Sequence, residues 1–499
     1  MHIHEYLSLD ATDMARLIRK KEVTPKELLS LSFKQLQKVN SSLNAVTYLR
    51  QEEVLKEAEN VSTADGDFAG VPMLLKDASQ ALKGVPLTSG AKLMKDMVAD
   101  HHSHFVRKLL DAGFLMMGHT TTPEFALKNI TESELYGPTR NPWHEDYSPG
   151  GSSGGSAAMV ASGVVPVAGA SDGGGSIRIP ASFSGLFGLK PTRGRTPVGP
   201  GIGRQWQGAA IDFVLSRTVR DSAALLDILQ VNQPEAAFQT PLFPGRYIES
   251  IKKNFTEPLK IAFTTKSPVE TPVSDAAKEA VEKIVNWLED EGHHVEEKEN
   301  DVDGVQLMRD YFIMNSGEMA TVVEQLEQGL GRALTADDVE IETWLLNVAG
   351  QSVSAAEFSE SLASWDVATA QMTDLFNTYD FYITPASAFT APKIGELTYT
   401  KEEQAELREK IESTEKSKKQ EVIYDMFLPS LTYTPFTQLA NLTGQPAMSV
   451  PIHITDNGLP IGVQAMAQKG NEHRLLRLAY QLEQSDLWIG MKGNPYFKK

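Results

Sequence analysis

The segment from residue 136 to residue 195 constrains the fold most, because it combines an unusual density of glycine, serine and proline with apolar runs. The runs at 157–161 and 164–170 suit a helix and a buried strand, which a linker or low-complexity spacer would lack. Glycine, having no Cβ, lets the backbone approach another group closely. We therefore predict that this segment is folded and that its backbone lies close to a partner group.

Two motifs in this segment contain most of the residues suited to chemistry. They are Gly150-Gly151-Ser152-Ser153-Gly154-Gly155-Ser156 and Ser171-Asp172-Gly173-Gly174-Gly175-Ser176-Ile177-Arg178. Glycine-rich loops also bind phosphate, but a P-loop ends in Gly-Lys-Ser/Thr, and a Rossmann loop has the pattern G-x-G-x-x-G with an acidic residue later. Neither motif contains Gly-Lys-Ser/Thr, so a nucleotide site is the weaker interpretation.

Consecutive glycines followed by a serine suit a nucleophile beside an oxyanion hole. Gly173, Gly174 and Gly175 can point several N–H groups at one place, next to the hydroxyl of Ser176. That hydroxyl needs a base. A Ser-His-Asp triad stays open because the chain has 11 histidines, although none lies in the two motifs and the G-x-S-x-G elbow is absent. Lys76 could serve if burial held it neutral, whereas a lysine at a strand end is more often a surface residue.

Short apolar segments alternate with helix-like segments along most of the chain. Residues 71–76 and 114–118 have the composition of buried strands, and residues 104–112 between them have the apolar spacing of a helix. This alternation is typical of an α/β fold with a largely parallel sheet. Asp456-Asn457-Gly458 lies between two apolar runs and predicts a hairpin turn. Since no repeat or composition break divides the chain, we expect one domain.

Composition excludes several classes of function. With 47 basic and 65 acidic side chains, the formal charge is −18, so we expect no nucleic acid and no anionic membrane as main partner. The chain has no cysteine, which excludes disulfides, thiol nucleophiles, iron–sulfur clusters and cysteine-based zinc sites. The N-terminus lacks a signal-peptide pattern, and no run approaches the ~18 apolar residues of a membrane span. We expect a soluble cytoplasmic protein, with a homodimer as the commonest assembly.

The sequence resembles the amidase signature family over nearly the whole chain, weakly only between residues 235 and 430. Besides the two glycine–serine motifs, the resemblance rests on Gly70-Val71-Pro72-Met73-Leu74-Leu75-Lys76-Asp77, Thr122-Pro123-Glu124-Phe125, Gly137-Pro138-Thr139-Arg140-Asn141-Pro142-Trp143, Gly188-Leu189-Lys190-Pro191-Thr192, Arg217-Thr218-Val219-Arg220-Asp221 and Asn441-Leu442-Thr443-Gly444-Gln445-Pro446-Ala447. The Ser-Asp-Gly-Gly-Gly-Ser form looks most like the branch that contains 6-aminohexanoate cyclic dimer hydrolase.

This resemblance implies an α/β fold with a central mixed, largely parallel β-sheet that helices cover on both faces. It further implies a single domain over residues 1–499. The catalytic core would comprise residues 60–230 and 430–485, and a variable, mostly helical region on the substrate side would comprise residues 235–430.

The resemblance also implies catalytic roles. Ser176 would be the nucleophile, Ser152 the serine that relays the proton, and Lys76 the terminal base. The oxyanion would be bound by backbone N–H groups of the loop that ends at Ser176, namely those of Gly173, Gly174, Gly175 and Ser176. Neither a metal ion nor an organic cofactor is required by this chemistry.

Three further residues are expected to support the site. Ser153 is predicted to form a local hydrogen bond, with exchange of roles with Ser152 as the alternative. Asp172 and Arg178 are predicted to brace the loop as an ion pair. Ser171 replaces the threonine usual in the family, and the retained hydroxyl predicts small consequences.

The activity implied is hydrolysis of a carboxamide C–N bond through an acyl-enzyme, on a small-molecule amide that could be a cyclic or linear aminohexanoate amide. One alternative within the fold is the glutaminase subunit of a tRNA-dependent amidotransferase, which would need a partner chain and a tRNA-binding surface. From a different class, a non-catalytic amide-binding protein is the other alternative. Retention of Lys76, Ser152 and Ser176 together favours the enzyme.

Overall fold

The computed structural model describes residues 1–62 and 64–497; of the domain expected over 1–499, Thr63, Lys498 and Lys499 lie outside the described residues. The strands are β1 Val46–Leu49, β2 Pro72–Lys76, β3 Leu115–Thr120, β4 Glu132–Ser133, β5 Gly137–Pro138, β6 Val167–Asp172, β7 Phe187–Lys190, β8 Ile211–Ser216, β9 Lys260–Phe263, β10 His294–Glu297, β11 Phe381–Pro385, β12 Ala447–Ile454 and β13 Pro460–Met466. The helices are α1 Ile3–Ser8, α2 Ala11–Arg19, α3 Pro25–Leu43, α4 Gln51–Ala58, α5 His104–Asp111, α6 Gly154–Ala161, α7 Arg178–Ser184, α8 Val219–Leu229, α9 Tyr247–Ser250, α10 Asp275–Asp290, α11 Gly304–Leu330, α12 Ile341–Gly350, α13 Ala355–Thr378, α14 Lys401–Ser413, α15 Lys419–Tyr433, α16 Gln438–Thr443 and α17 Glu472–Glu483.

Strands from the whole length of the chain form one large sheet. Within the described residues its order is β1-β3-β2-β6-β8-β7-β12-β13-β11-β9-β10. Parallel pairs form two blocks, β3-β2-β6 and β11-β9-β10, and every pair between β6 and β11 is antiparallel. The α/β fold with a central mixed sheet is therefore confirmed.

Parallel pairing is less extensive than the alternating pattern suggests. The hairpin predicted at Asp456-Asn457-Gly458 joins β12 to β13, which pair antiparallel. No α-helix lies between β7 and β8 in the chain, and these strands also pair antiparallel. Strands joined without a helical crossover can run in opposite directions, so these connections supply the antiparallel centre.

Helices pack on both faces of the sheet. On one face, a Cβ at Gly188 of β7 would lie 2.7 Å from Ala181 Cβ in α7. Successive side chains of a strand alternate between faces, so the neighbouring Phe187 points to the opposite face. There the ring of Phe187 packs near that of Trp488, in the segment that follows α17, with centroids 6.3 Å apart. The helix α17 itself packs against β12, the neighbour of β7 in the sheet.

The parallel block around β2 brings the predicted catalytic residues to one edge of the sheet. Leu74 of β2 pairs with Ala168 of β6 in parallel. The carboxyl ends of neighbouring parallel strands lie at the same edge, which is where α/β sheets bind ligands. Lys76 ends β2 and Asp172 ends β6, so both lie at this edge.

The region from 235 to 430 contributes strands as well as helices. β9, β10 and β11 extend the main sheet beyond β13. The long helices α11 and α13 pack against each other, and α11, α12, α14 and α15 share a second apolar cluster. Residues of this cluster form one wall of the cavity described below.

Candidate active site

Lys76 is fully buried at the carboxyl end of β2. Its Nζ donates hydrogen bonds to Ser152 Oγ at 2.6 Å and to Ser171 Oγ at 2.9 Å. Burial lowers the pKa of Lys76 to about 7, although the negative charges of Asp212 and Asp172 act to raise it. A large fraction of the amine is therefore neutral near pH 7 and able to accept a proton.

Ser152 lies in the loop that leads into α6, and the Gly151–Ser152 peptide bond is cis. A Cβ at Gly151 would lie 2.5 Å from the carbonyl oxygen of Ile130, so only glycine fits there. The adjacent Ser153 hydroxyl donates to the carbonyl oxygen of Ser171 at 3.2 Å and accepts from its N–H at 3.3 Å. The hydroxyl of Ser153 is thus engaged in local hydrogen bonds, and it is Ser152 that is hydrogen-bonded to Lys76.

Asp172 and Arg178 form a fully buried ion pair on either side of the glycine loop. Arg178 Nη2 donates to Asp172 Oδ1 at 2.8 Å and Nε donates to Oδ2 at 2.9 Å. Burial opposes ionisation of Asp172, but the charge and hydrogen bonds of Arg178 outweigh it and lower the pKa to about 2. The carboxylate is therefore charged at neutral pH and joins the two ends of the loop through Arg178.

The loop between them has three backbone N–H groups without an acceptor among the described residues: those of Gly173, Gly174 and Ser176. The Gly175 N–H instead donates to Asp172 Oδ1 at 2.7 Å. This bond already uses the N–H of Gly175, so its predicted part in the oxyanion hole is not favoured. The N–H groups of Gly173 and Gly174 have no acceptor among the described residues, so both stay candidates for the oxyanion hole.

The carbonyl groups of the loop are held by residues far away in sequence. Tyr311 donates its hydroxyl to the carbonyl oxygen of Gly173 at 2.8 Å, and Thr437 Oγ1 donates to that of Gly174 at 2.7 Å. In a trans peptide the C=O and the next N–H point in opposite directions. These two bonds therefore fix the orientation of the peptide groups that carry the N–H groups of Gly174 and Gly175.

A cavity of about 300 Å³ opens beside this loop. Ser152, Ser171, Gly173, Gly174 and Ser176 line one end of it. Much of the remaining lining is aromatic or thioether-containing, including Phe125, Trp206, Met308, Phe312, Met319 and Phe427. The site can thus hold an apolar group against a cluster of hydroxyls and N–H donors.

The structure brings together the residues that the sequence singled out, with one contact missing. Ser152 and Ser176 line the same cavity, and Lys76 lies behind Ser152. The hydroxyls of Ser152 and Ser176, both described, are not hydrogen-bonded to each other. Serine hydroxyls reorient by rotation about a single bond, and catalytic hydrogen bonds often form only with substrate bound.

Sequence reasoning missed two neighbours of the site. Ser171 was noted only as a replacement of threonine, yet its hydroxyl is the second acceptor for Lys76. Asn441 donates Nδ2 to Asp172 Oδ1 at 2.9 Å and accepts Arg178 Nη2 at its Oδ1 at 2.6 Å. Asn441 belongs to one of the motifs on which the family resemblance rests, but nothing in that motif indicates its contacts with Asp172 and Arg178.

A further carboxylate, Asp212 on β8, lies near the buried amine. It accepts hydrogen bonds from Ser79 Oγ at 2.6 Å, Gln205 Nε2 at 3.0 Å and Gln80 Nε2 at 3.2 Å. Burial raises the pKa of Asp212, and these hydrogen bonds and the charge of Lys76 act against that rise. Asp212 was not singled out from the sequence, because nothing local marks it.

Another buried lysine, Lys128, belongs to the lining of the same cavity. Its Nζ is 2.6 Å from Glu340 Oε2 and 3.9 Å from Glu342 Oε1. Burial opposes its charge, but these carboxylates outweigh the effect and raise the pKa of Lys128 above its usual value. Glu124, buried beside them, has its pKa raised to about 8 by burial and by the charge of Glu340.

Residues 1–62 and 64–497 contain neither a candidate metal site nor a candidate membrane-spanning helix. No group of three or more histidine, aspartate or glutamate side chains there is arranged to hold a metal ion. None of the helices described is both long enough and apolar enough to cross a membrane.

The chain is similar to known amidases over most of its length. A family model described as "Amidase" matches residues 27–476. A 6-aminohexanoate-cyclic-dimer hydrolase of Paenarthrobacter ureafaciens is 35% identical over 491 residues, which are 97% of this chain and 96% of that protein. A solved structure of 6-aminohexanoate cyclic dimer hydrolase matches with a TM-score of 0.90 at 34% identity and covers 99% of both chains. A lipoamidase of Enterococcus faecalis is 38% identical over 479 residues, which are 96% of this chain and 63% of that protein.

Proposed function

The chain belongs to the amidase family and is an amide-hydrolysing enzyme, and from this premise we propose that it works through Ser176, Ser152 and Lys76. The observation that carries the proposal is the fully buried Lys76 amine, which lies 2.6 Å from Ser152 Oγ and has a pKa of about 7. A buried amine of that pKa is matched to proton transfer near neutrality.

In the proposed reaction, neutral Lys76 accepts the proton of Ser152 while Ser152 takes the proton of Ser176. Ser176 Oγ attacks the carbonyl carbon, and the carbonyl electron pair moves to oxygen. When the C–N bond breaks, its electron pair goes to nitrogen, which receives the proton back through Ser152. Water then attacks the ester by the same relay and releases the carboxylic acid.

The oxyanion of each tetrahedral intermediate would be bound by the free N–H groups of Gly173, Gly174 and Ser176. Each such donor contributes about 10²–10³ in rate in enzymes where one was removed. The ion pair of Asp172 and Arg178 holds the ends of the loop, so the donors need little reorganisation when charge develops.

We propose that the substrate is the amide of an unbranched aliphatic acid, of the aminohexanoate or lipoyl type. Support comes from the apolar lining around Phe312 and Phe427, whose rings stack with centroids 5.0 Å apart, and from the substrates named by the two relatives. A glutaminase binds a polar substrate, and this largely apolar lining suits such a substrate less well. The proposal extends to one domain over residues 1–499, with the region 235–430 on the substrate side.

A fluorophosphonate probe and a series of substrates test the proposal. We expect a mass adduct on Ser176 in the wild type and none in Ser176→Ala, while Ser430→Ala, altered elsewhere in the lining, still reacts. Along a series of straight-chain acyl anilides, kcat/KM should rise about threefold per added methylene until the cavity is filled. Absence of the adduct in the wild type would refute the assignment of Ser176 as nucleophile. If kcat/KM does not change with acyl length, the proposal of an unbranched aliphatic acyl group is refuted.

A further inference from the structure

We propose that Tyr311 is a positioning residue for the oxyanion hole: by binding the carbonyl oxygen of Gly173, its hydroxyl keeps the N–H of Gly174 turned towards the oxyanion. The inference rests on the proposed function, since it concerns the same reacting groups. Tyr311 lies on α11, within the region 235–430, and 135 positions after Ser176 (311 − 176). A helix of the variable region therefore controls a backbone donor of the glycine loop.

The peptide group between Gly174 and Gly175 is hydrogen-bonded at both ends. Thr437 Oγ1 donates to its carbonyl oxygen at 2.7 Å. Its N–H donates to Asp172 Oδ1, also at 2.7 Å. If one of these bonds is lost, the other still holds the group, so this peptide keeps its orientation.

The peptide group between Gly173 and Gly174 is hydrogen-bonded at one end only. The hydroxyl of Tyr311 donates to its carbonyl oxygen at 2.8 Å, and its N–H has no acceptor among the described residues. Rotation of a peptide group changes ψ of the residue before it and φ of the residue after it, and glycine tolerates a wide range of both angles. Without the tyrosine hydroxyl, this group is therefore free to turn its N–H away from the oxyanion.

The side chain of Tyr311 is itself held in place beside the loop. Its ring packs against an apolar cluster that includes Trp365, with the two ring centroids 6.4 Å apart. Its hydroxyl oxygen is 3.1 Å from the position that a Cβ on Gly174 would take, and both residues line the cavity. Burial raises the pKa of Tyr311 above its usual value, so the hydroxyl keeps its proton and remains a donor near neutral pH.

The test is Tyr311→Phe, which keeps the ring and removes the hydroxyl. Formation and hydrolysis of the acyl-enzyme both pass through an oxyanion, so kcat should fall whichever step limits it. We expect kcat for an acyl anilide to fall about 10- to 100-fold, towards the loss measured for a missing oxyanion-hole donor, while KM changes less than about threefold. An altered cavity shape alone would instead raise KM. A variant with wild-type kcat would overturn the assignment.

Thr437→Val is the matched variant at the other peptide group, because it removes the donor to the carbonyl oxygen of Gly174 and keeps the side-chain shape. Asp172 still binds the N–H of that group. We therefore expect kcat to fall no more than about threefold, as for loss of one hydrogen bond whose peptide stays in place. Equal falls in Tyr311→Phe and Thr437→Val would contradict the distinct role of Tyr311.

Tyr399→Phe is the control for the loss of a tyrosine hydroxyl away from the site. The hydroxyl of Tyr399 also donates to a backbone carbonyl, that of Met426 at 2.5 Å, and Tyr399 does not line the cavity. We expect its kcat to equal that of the wild type. A fall in kcat as large as in Tyr311→Phe would show a general effect of losing such a bond and would overturn the assignment.

A measurement on the wild type stays valid if Tyr311→Phe fails to fold. In a crystal structure of the enzyme phosphonylated by the fluorophosphonate probe, the phosphonyl oxygen takes the place of the oxyanion. We expect this oxygen within about 3.2 Å of Gly174 N, with the Tyr311 hydroxyl still bound to Gly173. An adduct on Ser176 whose oxygen lies away from Gly174 N, or a broken Tyr311 bond, rejects only the role of Tyr311. Absence of the adduct rejects the proposed function, and the role of Tyr311 with it.

Discussion

Two buried lysines differ in chemistry: Lys76, which contacts the lining residues Ser152 and Ser171 of the cavity, and Lys128, which belongs to that lining itself. Lys76 is surrounded by hydroxyl oxygens, and burial lowers its pKa to about 7. Lys128 is surrounded by carboxylates, and despite burial its pKa lies above the usual value. A hydroxyl can accept a hydrogen bond without carrying charge, whereas Glu340 and Glu342 stabilise the ammonium directly.

The contrast shows that burial alone does not make a lysine a base. Burial disfavours the charged form of both residues, and the partners decide the outcome. The hydrogen-bond partners of Lys76 are neutral hydroxyls that can also exchange protons, so it suits proton transfer. Lys128 is held in the ammonium form and ties the 124–129 segment to the start of α12.

The largest effect is expected when the two lysines are replaced in parallel. Lys76→Met should lower kcat roughly 10⁴-fold or more, because Ser176 then has no base, while Lys128→Met keeps the relay. The measurement is the rate of acyl transfer under single-turnover conditions on folded protein. Comparable losses of rate in both variants would contradict the assignment of Lys76, and not Lys128, as the base.

Stability should respond in the opposite order. Lys128→Met leaves the carboxylates of Glu340 and Glu342 buried without their cation, which is expected to cost about 3–5 kcal/mol of unfolding free energy. Lys76→Met removes an amine whose burial is itself unfavourable, so the loss of stability should be smaller. Urea denaturation of both variants measures this, and a larger loss in Lys76→Met would reverse the interpretation.

The smallest effect concerns the charge beside Lys76. In the wild type, kcat/KM should rise with pH through about pH 7, since the amine must lose its proton to act as a base. The negative charge of Asp212 favours the ammonium form of Lys76, so Asp212→Asn should lower the pKa of Lys76. The rise of kcat/KM with pH should then occur at a pH lower by about one unit or less. If kcat/KM of Asp212→Asn rises at the same pH as in the wild type, or at a higher pH, Asp212 does not act on the amine.

The motifs of the family resemblance named residues that lie close together in the structure, whereas local patterns overstated the parallel pairing of the sheet. Lys76 and the ion pair of Asp172 with Arg178 lie near one another because β2 and β6 are neighbours in the sheet, and Ser152 reaches Lys76 from the loop before α6. The same reasoning gave Gly175 a free N–H, which in the structure is bound by Asp172. That outcome depends on the φ of +134° at Gly175, which glycine-rich sequence permits but does not require.

The groups available for chemistry follow from the amino-acid sequence: a lysine ending an apolar strand, serines in glycine-rich loops, and an Asp–Arg pair spaced to bracket one of these loops. The protonation of these groups and their second hydrogen-bond partners depend instead on the packing of the whole fold. Desolvation depends on what packs around a side chain from the entire fold. Tyr311 of α11, Thr437 just before α16 and Asn441 of α16 reach the glycine loop and its ion pair from more than 130 residues away. Periodicity and motif spacing describe neighbours along the chain and contain no information on that packing.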